Sequence, residues 1–125
     1  MGSSDHPLVL IVDDDDRNRK LAADVLGAAG FRTLDAADGA RAIVLAAAHL
    51  PDVILMDLRL PDLDGVEVTR RLRDARRTAD IPVVALSATP LDPGDDWPVD
   101  AGFAAYLVKP IDIDELPGQV RRICR

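Results

Sequence analysis

Acidic, hydroxyl and ammonium side chains follow apolar runs of this sequence at the points where those runs end. Asp13 and Asp14 come directly after the first run, and Asp57 comes after a later one. Ser87 and Lys109 follow two further runs. Carboxylates of this kind can hold a hard cation, and a hydroxyl and an ammonium can bind the oxygens of an anion.

Three carboxylates that lie close together need a compensating positive charge or raised pKa values. Two of them about 4 Å apart repel each other by about 4 kcal/mol when the effective dielectric constant is ~20. Lys109 supplies one positive charge, and a divalent cation would supply the rest. Because Mg²⁺ prefers carboxylate oxygens and retained water, the residue types indicate a site for this metal together with an oxyanion.

Each of these signals is weak when it is taken alone. An aspartate after a strand more often forms a turn or caps a helix, and a serine in a loop is ordinary. The combination is more specific, because the ordinary interpretation must then apply separately at several positions on one edge of a sheet.

The elements that must position these side chains alternate between strand and helix. Strand runs that are apolar on both faces predict a sheet covered on both sides, and short links predict parallel strands with right-handed crossovers. The carboxyl ends of parallel strands share one edge, so the polar residues should meet there. We predict a doubly wound α/β sheet whose five strands are Leu8–Val12, Arg32–Asp35, Val53–Met56, Pro82–Leu86 and Ala105–Val108.

The segment Ala88–Gly102 interrupts this alternation where a fourth helix is expected. Pro90, Pro93 and Pro98 each lack a backbone donor, and a proline inside a helix costs about 3 kcal/mol. We therefore predict a short or irregular fourth helix in a mobile segment, with a turn around Asp95–Asp100 as its smallest form. Its predicted apolar anchors are Leu91, Trp97 and Val99.

The charge of the chain argues against nucleic acid or an anionic membrane surface as a partner. Lysine and arginine total 15 against 22 acidic residues, which gives a net charge of −7. A nucleic-acid surface needs cations that neutralise phosphates. A local cluster of arginines is the exception, and we expect it to form the solvated face and end of a helix. The cluster comprises Arg70, Arg71, Arg73, Arg76 and Arg77.

Length and cysteine content fit one small domain in a reducing compartment. The chain has 125 residues, for which we predict an N-terminal tail over 1–7 and a folded domain over 8–125. Cys124 is the only cysteine, so no internal disulfide can form. No apolar run approaches the ~20 residues of a membrane span, and the start lacks the features of a secretion signal. We expect a cytoplasmic protein.

Four strings of the sequence resemble the response-regulator receiver family, the CheY-like proteins of two-component signalling. They are LVLIVDDDDRN, VILMDLRLPDLDG, VVALSAT and AYLVKP, in the order and at the spacing of that family. The resemblance runs from about Leu8 to the end of the chain and implies the strand order 2-1-3-4-5. The segment Asn18–Leu21 resembles the DivK-like regulators within the family.

The resemblance implies a role for each acidic residue of the candidate site. Asp57 matches the aspartate that accepts a phosphoryl group and also contacts the metal. Asp13 and Asp14 match the acidic pair that holds Mg²⁺, with Asp14 as the direct ligand. The backbone carbonyl of Arg59 matches a further metal ligand.

The resemblance also implies roles for the other polar residues. Ser87 matches a hydroxyl that bonds a phosphoryl oxygen, and Lys109 matches a lysine that pairs with the phosphoryl group. The bond from Lys109 to Pro110 matches one that is cis in the family, and Tyr106 matches an aromatic residue that switches together with Ser87. The implied partner is a sensor histidine kinase or a histidine phosphotransfer protein. The implied protein is a signalling receiver that catalyses only its own phosphorylation and slow dephosphorylation.

Three other interpretations stay open at this stage. The sequence could be a receiver module of a hybrid kinase or of a longer regulator. A flavodoxin-like cofactor protein has the same topology, although the acidic loop Asp13–Asp16 would repel a phosphate that lacks a metal. A phosphatase-like hydrolase also uses an aspartate nucleophile, but it places that residue after the first strand.

Overall fold

The computed structural model of the chain describes residues 6–124, and strands alternate with helices throughout. Residues 1–5 of the predicted tail and Arg125 lie outside the described residues. No helix within 6–124 has the length and apolar character needed to cross a membrane.

The strands are β1 (Leu8–Val12), β2 (Arg32–Ala36), β3 (Val53–Asp57), β4 (Val83–Ser87) and β5 (Ala105–Val108). The helices are α1 (Asp16–Ala28), α2 (Gly39–His49), α3 (Gly65–Asp74), α4 (Trp97–Asp100) and α5 (Leu116–Ile123).

The five strands form one parallel sheet in the order β2-β1-β3-β4-β5, which confirms the predicted doubly wound fold. The strand order reverses between β1 and β3, where Val12 is paired with Met56. At the other side of the sheet, Ser87 of β4 is paired with Val108 of β5. The residues that follow these pairs therefore emerge side by side at the carboxyl edge, which is where ligands bind in such sheets.

The core is divided by the sheet into two apolar layers. One layer contains Leu10, Ile54 and Leu72 and lies on the side of α2 and α3, whereas the other contains Ile11, Leu55 and Leu26 on the side of α1 and α5. Alternate residues of β1 and β3 thus enter opposite layers, as the two-residue period of a strand requires. This explains why the strand runs are apolar on both faces.

Three helices begin at aspartate caps, which fixes where the loops of the carboxyl edge end. Asp15 accepts from the backbone N–H groups of Arg17 and Asn18 at the start of α1. Asp38 caps α2, and Asp64 caps α3. Each cap satisfies donors that the first turn of a helix leaves unpaired.

The fourth helix is a single turn, as the three prolines predict. It covers only Trp97–Asp100, and the residues from 88 to 96 form bends and turns. The Trp97 ring packs perpendicular to the rings of Phe103 and Tyr106 with centroid distances of 6.2 and 5.8 Å, which agrees with its predicted role as an anchor. The prediction that Val99 is an anchor is wrong, because this residue is 75% exposed. Pro98 is buried in its place, because successive residues of one helical turn face different directions.

One residue of the arginine cluster is not solvated, contrary to expectation. Arg73 is half-buried, and its guanidinium donates to the carbonyl of Gly102 from Nε and Nη2 and to that of Ala79 from Nη1. Burial lowers the pKa of Arg73, an effect that the charge of Asp80 opposes. Arg73 thereby links the end of α3 to the turn that follows α4.

Candidate functional site

Asp57 is the buried carboxylate at the centre of the candidate site. It is the last residue of β3, a strand buried along its whole length, and only 4% of Asp57 is exposed. Its Oδ1 accepts a hydrogen bond from the backbone N–H of Arg59 at 3.0 Å, and its Oδ2 accepts one from the Lys109 ammonium at 3.0 Å. Both oxygens have a partner, so the orientation of the carboxylate is fixed.

Asp13 and Asp14 bring two further carboxylates to Asp57. One oxygen from each of the three residues lies within 4.8 Å of the others. Asp13 is buried, and its Oδ1 accepts from the backbone N–H of Asp15 at 2.9 Å. Asp14 is exposed, so its carboxylate faces solvent. The two acids that follow β1 thus differ in burial although they are neighbours in the chain.

The run of four aspartates divides into two functional pairs. Asp13 and Asp14 contribute their carboxylates to the site, whereas Asp15 caps α1. Asp16 is the first residue of α1, and its Oδ1 forms an ion pair with Arg19 at 2.7 Å. Asp15 also lines the cleft, but its carboxylate is engaged by the backbone N–H groups at the start of α1.

Lys109 supplies the positive charge that these carboxylates need. Its Nζ lies 3.0 Å from Oδ2 of Asp57 and 3.5 Å from Oδ2 of Asp13. Burial alone would lower the pKa of Lys109, but the hydrogen bond to Asp57 and the charges of both acids raise it above its ordinary value. The pKa of Asp13 is raised, chiefly by burial, while the Asp15 amide and Lys109 oppose that change. The peptide bond between Lys109 and Pro110 is cis, as predicted.

The loop after β3 is held against the site by two contacts that sequence analysis did not find. A Cβ atom on Gly65 would lie 2.5 Å from the carbonyl oxygen of Asp57, so the start of α3 approaches this backbone as only glycine allows. Asp62 accepts from the backbone N–H groups of Gly39 and Ala40 at 2.8 and 2.9 Å, and these bonds lower its pKa. The loop is thereby fixed to the start of α2.

A chain of contacts leads from Ser87 to the fourth helix. The Oγ of Ser87 accepts from the backbone N–H of Thr89 at 3.1 Å. The carbonyl of Thr89 accepts a hydrogen bond from the Tyr106 hydroxyl, and the Tyr106 ring contacts the edge of Trp97. The two predicted switch residues, Ser87 and Tyr106, are therefore connected through Thr89.

The donor set at the site fits a hard divalent cation. Three carboxylates with one ammonium leave net negative charge in a cleft of about 310 Å³, and Mg²⁺ is bound through such oxygen ligands. The predicted residues Asp13, Asp14, Asp57, Ser87 and Lys109 all line this cleft, as does Arg59. Tyr106 is not among the residues that line this cleft, and its hydroxyl donates to the carbonyl of Thr89.

Arg19 is a residue of the site region that sequence analysis missed. Its guanidinium donates to the backbone carbonyl of Asp13 at 2.9 Å. The one available signal was its spacing of three residues from Asp16, which allows an ion pair on a helix. That signal does not predict the bond to Asp13, because periodicity along a helix does not indicate contacts with the preceding strand.

The fold and the site together define a doubly wound α/β domain with an acidic pocket at the carboxyl edge of its sheet. The sequence profile of the response regulator receiver domain matches residues 9–121. The chain belongs to this family, whose members are signalling domains of two-component systems and not enzymes of the usual kind. The extent of the folded domain over 8–125 stays a prediction at its two ends.

Individual relatives and solved structures agree with this assignment. The polar-differentiation response regulator DivK of Brucella ovis is 39% identical over 105 residues, which cover 84% of this chain and 85% of that protein. The receiver domain of the sensor histidine kinase PA1611 from Pseudomonas aeruginosa is 35% identical, with a TM-score of 0.84 over 94% of this chain and 97% of that one. That structure has a magnesium ion coordinated in its active-site cleft. Chemotaxis protein CheY4 of Vibrio cholerae gives a TM-score of 0.88 at 27% identity, over 94% of this chain and 98% of that one.

Proposed function

We propose that Asp57 accepts a phosphoryl group from a phosphohistidine on a sensor histidine kinase or a histidine phosphotransfer protein. The observation that carries this proposal is the contact of 3.0 Å between Lys109 and Asp57, in a cleft that two further carboxylates share. A buried carboxylate can act as a nucleophile toward an anionic phosphoryl group only if nearby positive charge offsets the electrostatic repulsion between the two. The proposal includes a cytoplasmic location for the domain, where we expect such partners to act.

The proposed transfer exchanges one bond to phosphorus for another. A carboxylate oxygen of Asp57 bonds to phosphorus, and the phosphorus–nitrogen bond of the phosphohistidine breaks with its electron pair left on the imidazole. Lys109 then neutralises charge on the phosphoryl oxygens, and the Ser87 hydroxyl donates a hydrogen bond to one of them. Alignment and charge neutralisation are the main contributions that proteins make to phosphoryl transfer.

Four groups of the chain are suited to holding Mg²⁺. They are the carboxylates of Asp13, Asp14 and Asp57 and the backbone carbonyl of Arg59. Within the pair Asp13 and Asp14, we assign Asp14 as the direct ligand, because its carboxylate faces solvent while that of Asp13 is buried and contacts Lys109. A bound Mg²⁺ ion supplies further neutralisation of the charge on the carboxylates and on the phosphoryl group.

The proposed signal begins with a change of partner at Ser87. Its Oγ now accepts a hydrogen bond from Thr89, and a rotation of the hydroxyl toward a phosphoryl oxygen breaks that bond. Thr89 is then free to move, and Tyr106 loses its fixed acceptor. A phosphoryl group on Asp57 is thereby coupled to the aromatic cluster around α4.

The proposal is tested by incubating the protein with acetyl phosphate and Mg²⁺ and measuring the intact mass. We expect a gain of one phosphoryl group per chain, which Asp57→Asn abolishes and Asp24→Asn leaves unchanged. Asp24 is the matched control, because it is an exposed aspartate paired with Lys20 on α1. Undiminished labelling of the Asp57→Asn variant would contradict the assignment, and sustained hydrolysis of a phosphate ester would indicate a hydrolase instead.

A further inference from the structure

Arg19 makes three separate contacts at the base of the acidic site. Its Nη1 donates to the backbone carbonyl of Asp13 at 2.9 Å, and its Nε donates to Oδ2 of Asp35 at 2.9 Å. Its Nη2 donates to Oδ1 of Asp16 at 2.7 Å. The Arg19 side chain is only 15% exposed, so these contacts fill a defined position and do not form a loose surface pair.

The bond to Asp13 falls on the peptide unit that connects the two predicted metal ligands. The carbonyl of Asp13 and the N–H of Asp14 belong to one planar group, so the direction of this carbonyl sets where the Asp14 side chain begins. The backbone N–H of Asp13 is fixed separately, since it donates to the carbonyl of Ala36 on β2 at 3.1 Å. Arg19 completes this arrangement on the carbonyl side.

The guanidinium also joins three elements that end or begin at the site. Asp13 follows β1, Asp35 belongs to β2, and Asp16 begins α1. A planar guanidinium with several fixed donors can make contacts in three directions at once, which a lysine ammonium does less well. The Arg19 guanidinium, held by these three contacts, is therefore a cation with a fixed position next to the acidic loop Asp13–Asp16.

We propose that Arg19 is a positioning residue that sets the Asp13–Asp14 peptide for binding of a divalent cation, an inference that rests on the proposed function. Arg19 does not touch the cleft, and it acts through the backbone of Asp13. Residues that hydrogen-bond to metal ligands without contacting the metal typically contribute about 10-fold to 100-fold in metal affinity.

Positioning and simple charge predict opposite results for the loss of Arg19. Removal of a positive charge near a cation site strengthens cation binding by Coulomb's law, so a purely electrostatic role predicts tighter Mg²⁺ binding to Arg19→Gln. A positioning role predicts weaker binding in spite of the added negative charge. The sign of the change distinguishes the two.

The experiment is calorimetric titration of the protein with Mg²⁺ at ~0.15 M ionic strength, where exposed charges are well screened. We expect Arg19→Gln to weaken binding by about tenfold. Lys20→Gln is the matched control, because it removes the same charge from the next residue, whose side chain is 76% exposed and paired with Asp24. We expect that control to change the affinity by less than about twofold. Equal or tighter Mg²⁺ binding by Arg19→Gln would overturn the proposal.

The positioning role of Arg19 is also tested by the variant Arg19→Lys and by hydrogen exchange in metal-free protein, which does not depend on Mg²⁺ binding. Arg19→Lys retains the charge without the three directed bonds, so it should also weaken Mg²⁺ binding, and wild-type affinity in this variant would count against the proposal. In metal-free protein, Arg19→Gln should speed hydrogen exchange at the amides of Asp13 and Asp15, while Lys20→Gln should not. Unchanged exchange would overturn the positioning role even if wild-type protein proved unable to bind Mg²⁺ or accept a phosphoryl group.

Discussion

The Lys109 ammonium occupies the space between two acids of the site, with the shorter contact, 3.0 Å, to Asp57. Its second contact, 3.5 Å, is to Asp13, so one cation serves two buried carboxylates. Lys109 and a divalent cation therefore compete for some of the same negative charge. Loss of Lys109 should affect cation binding and phosphoryl transfer in opposite directions.

We predict that Lys109→Gln binds Mg²⁺ more tightly than wild type by at least about fivefold. That factor corresponds to about 1 kcal/mol, which is small beside the ~4 kcal/mol between unit charges 4 Å apart at an effective dielectric of 20. Phosphorylation by acetyl phosphate should slow, because no ammonium remains to meet the phosphoryl oxygens. Calorimetry and intact mass measure the two effects. Weaker Mg²⁺ binding would show that Lys109 chiefly shapes the site.

The raised pKa of Asp13 predicts how stability changes with pH in metal-free protein. Its pKa is raised above the ordinary 3.8, chiefly by burial, so the folded state binds this proton more tightly than the unfolded state. The contribution of Asp13 to stability is therefore favourable at low pH and is lost as the pH rises from about 3.8 through the raised value.

Asp13→Asn removes the ionised form and should raise the free energy of unfolding at pH 7.5, because the buried carboxylate is charged at that pH and the amide is not. The gain should shrink at about pH 4.5, where less of Asp13 is ionised. Urea unfolding in the presence of a chelator measures both values. Asp24→Asn is the control, and a gain at Asp13 that does not depend on pH would contradict this origin.

Two glycines offer a matched pair of alanine substitutions. Gly65→Ala should lower the free energy of unfolding by about 1–3 kcal/mol, because the added Cβ would meet the Asp57 carbonyl oxygen and the backbone must shift. It should also slow phosphorylation, because that shift moves Asp57. Gly27→Ala on α1 meets nothing within 4 Å and should stabilise the protein by about 0.4–1 kcal/mol. Equal changes in the free energy of unfolding for the two substitutions would contradict a close approach of Gly65 to the Asp57 backbone.

Trp97 should report phosphorylation by a change in its fluorescence. It is the only tryptophan, and its ring contacts Tyr106, which is connected to Ser87 through Thr89. We expect the change to be absent in Asp57→Asn and much reduced in Ser87→Ala, although that variant still takes up some phosphoryl group. An undiminished change in Ser87→Ala would show that the signal reaches α4 by another route.

The residues from 88 to 96 should exchange their amide hydrogens faster than β4 in the unphosphorylated protein. These residues form no helix or strand, and few of their backbone groups are paired. Phosphorylation or a bound partner should slow that exchange if output works by ordering the segment. Strong protection throughout 88–96 before phosphorylation would contradict the prediction.

The sequence by itself determined the fold and most of the site. Apolar runs of strand length, separated by helical patterns, require a sheet covered on both sides, and parallel strands bring the residues that follow them to one edge. Asp13, Asp57 and Lys109 could be found in this way because each ends a strand or directly follows one. The prolines between β4 and β5 likewise predicted a shortened α4, since a missing backbone donor acts locally.

Tertiary structure decided what depends on contacts between distant parts of the chain. Among four adjacent aspartates, only the geometry of the loop separates Asp14, whose carboxylate lies near those of Asp13 and Asp57, from Asp15, whose carboxylate caps a helix. Arg19 and Arg73 have ordinary helical surface spacing, yet both donate to backbone carbonyls of other elements. Such bonds have no period along the sequence, because they depend on the distance between elements that only packing brings together.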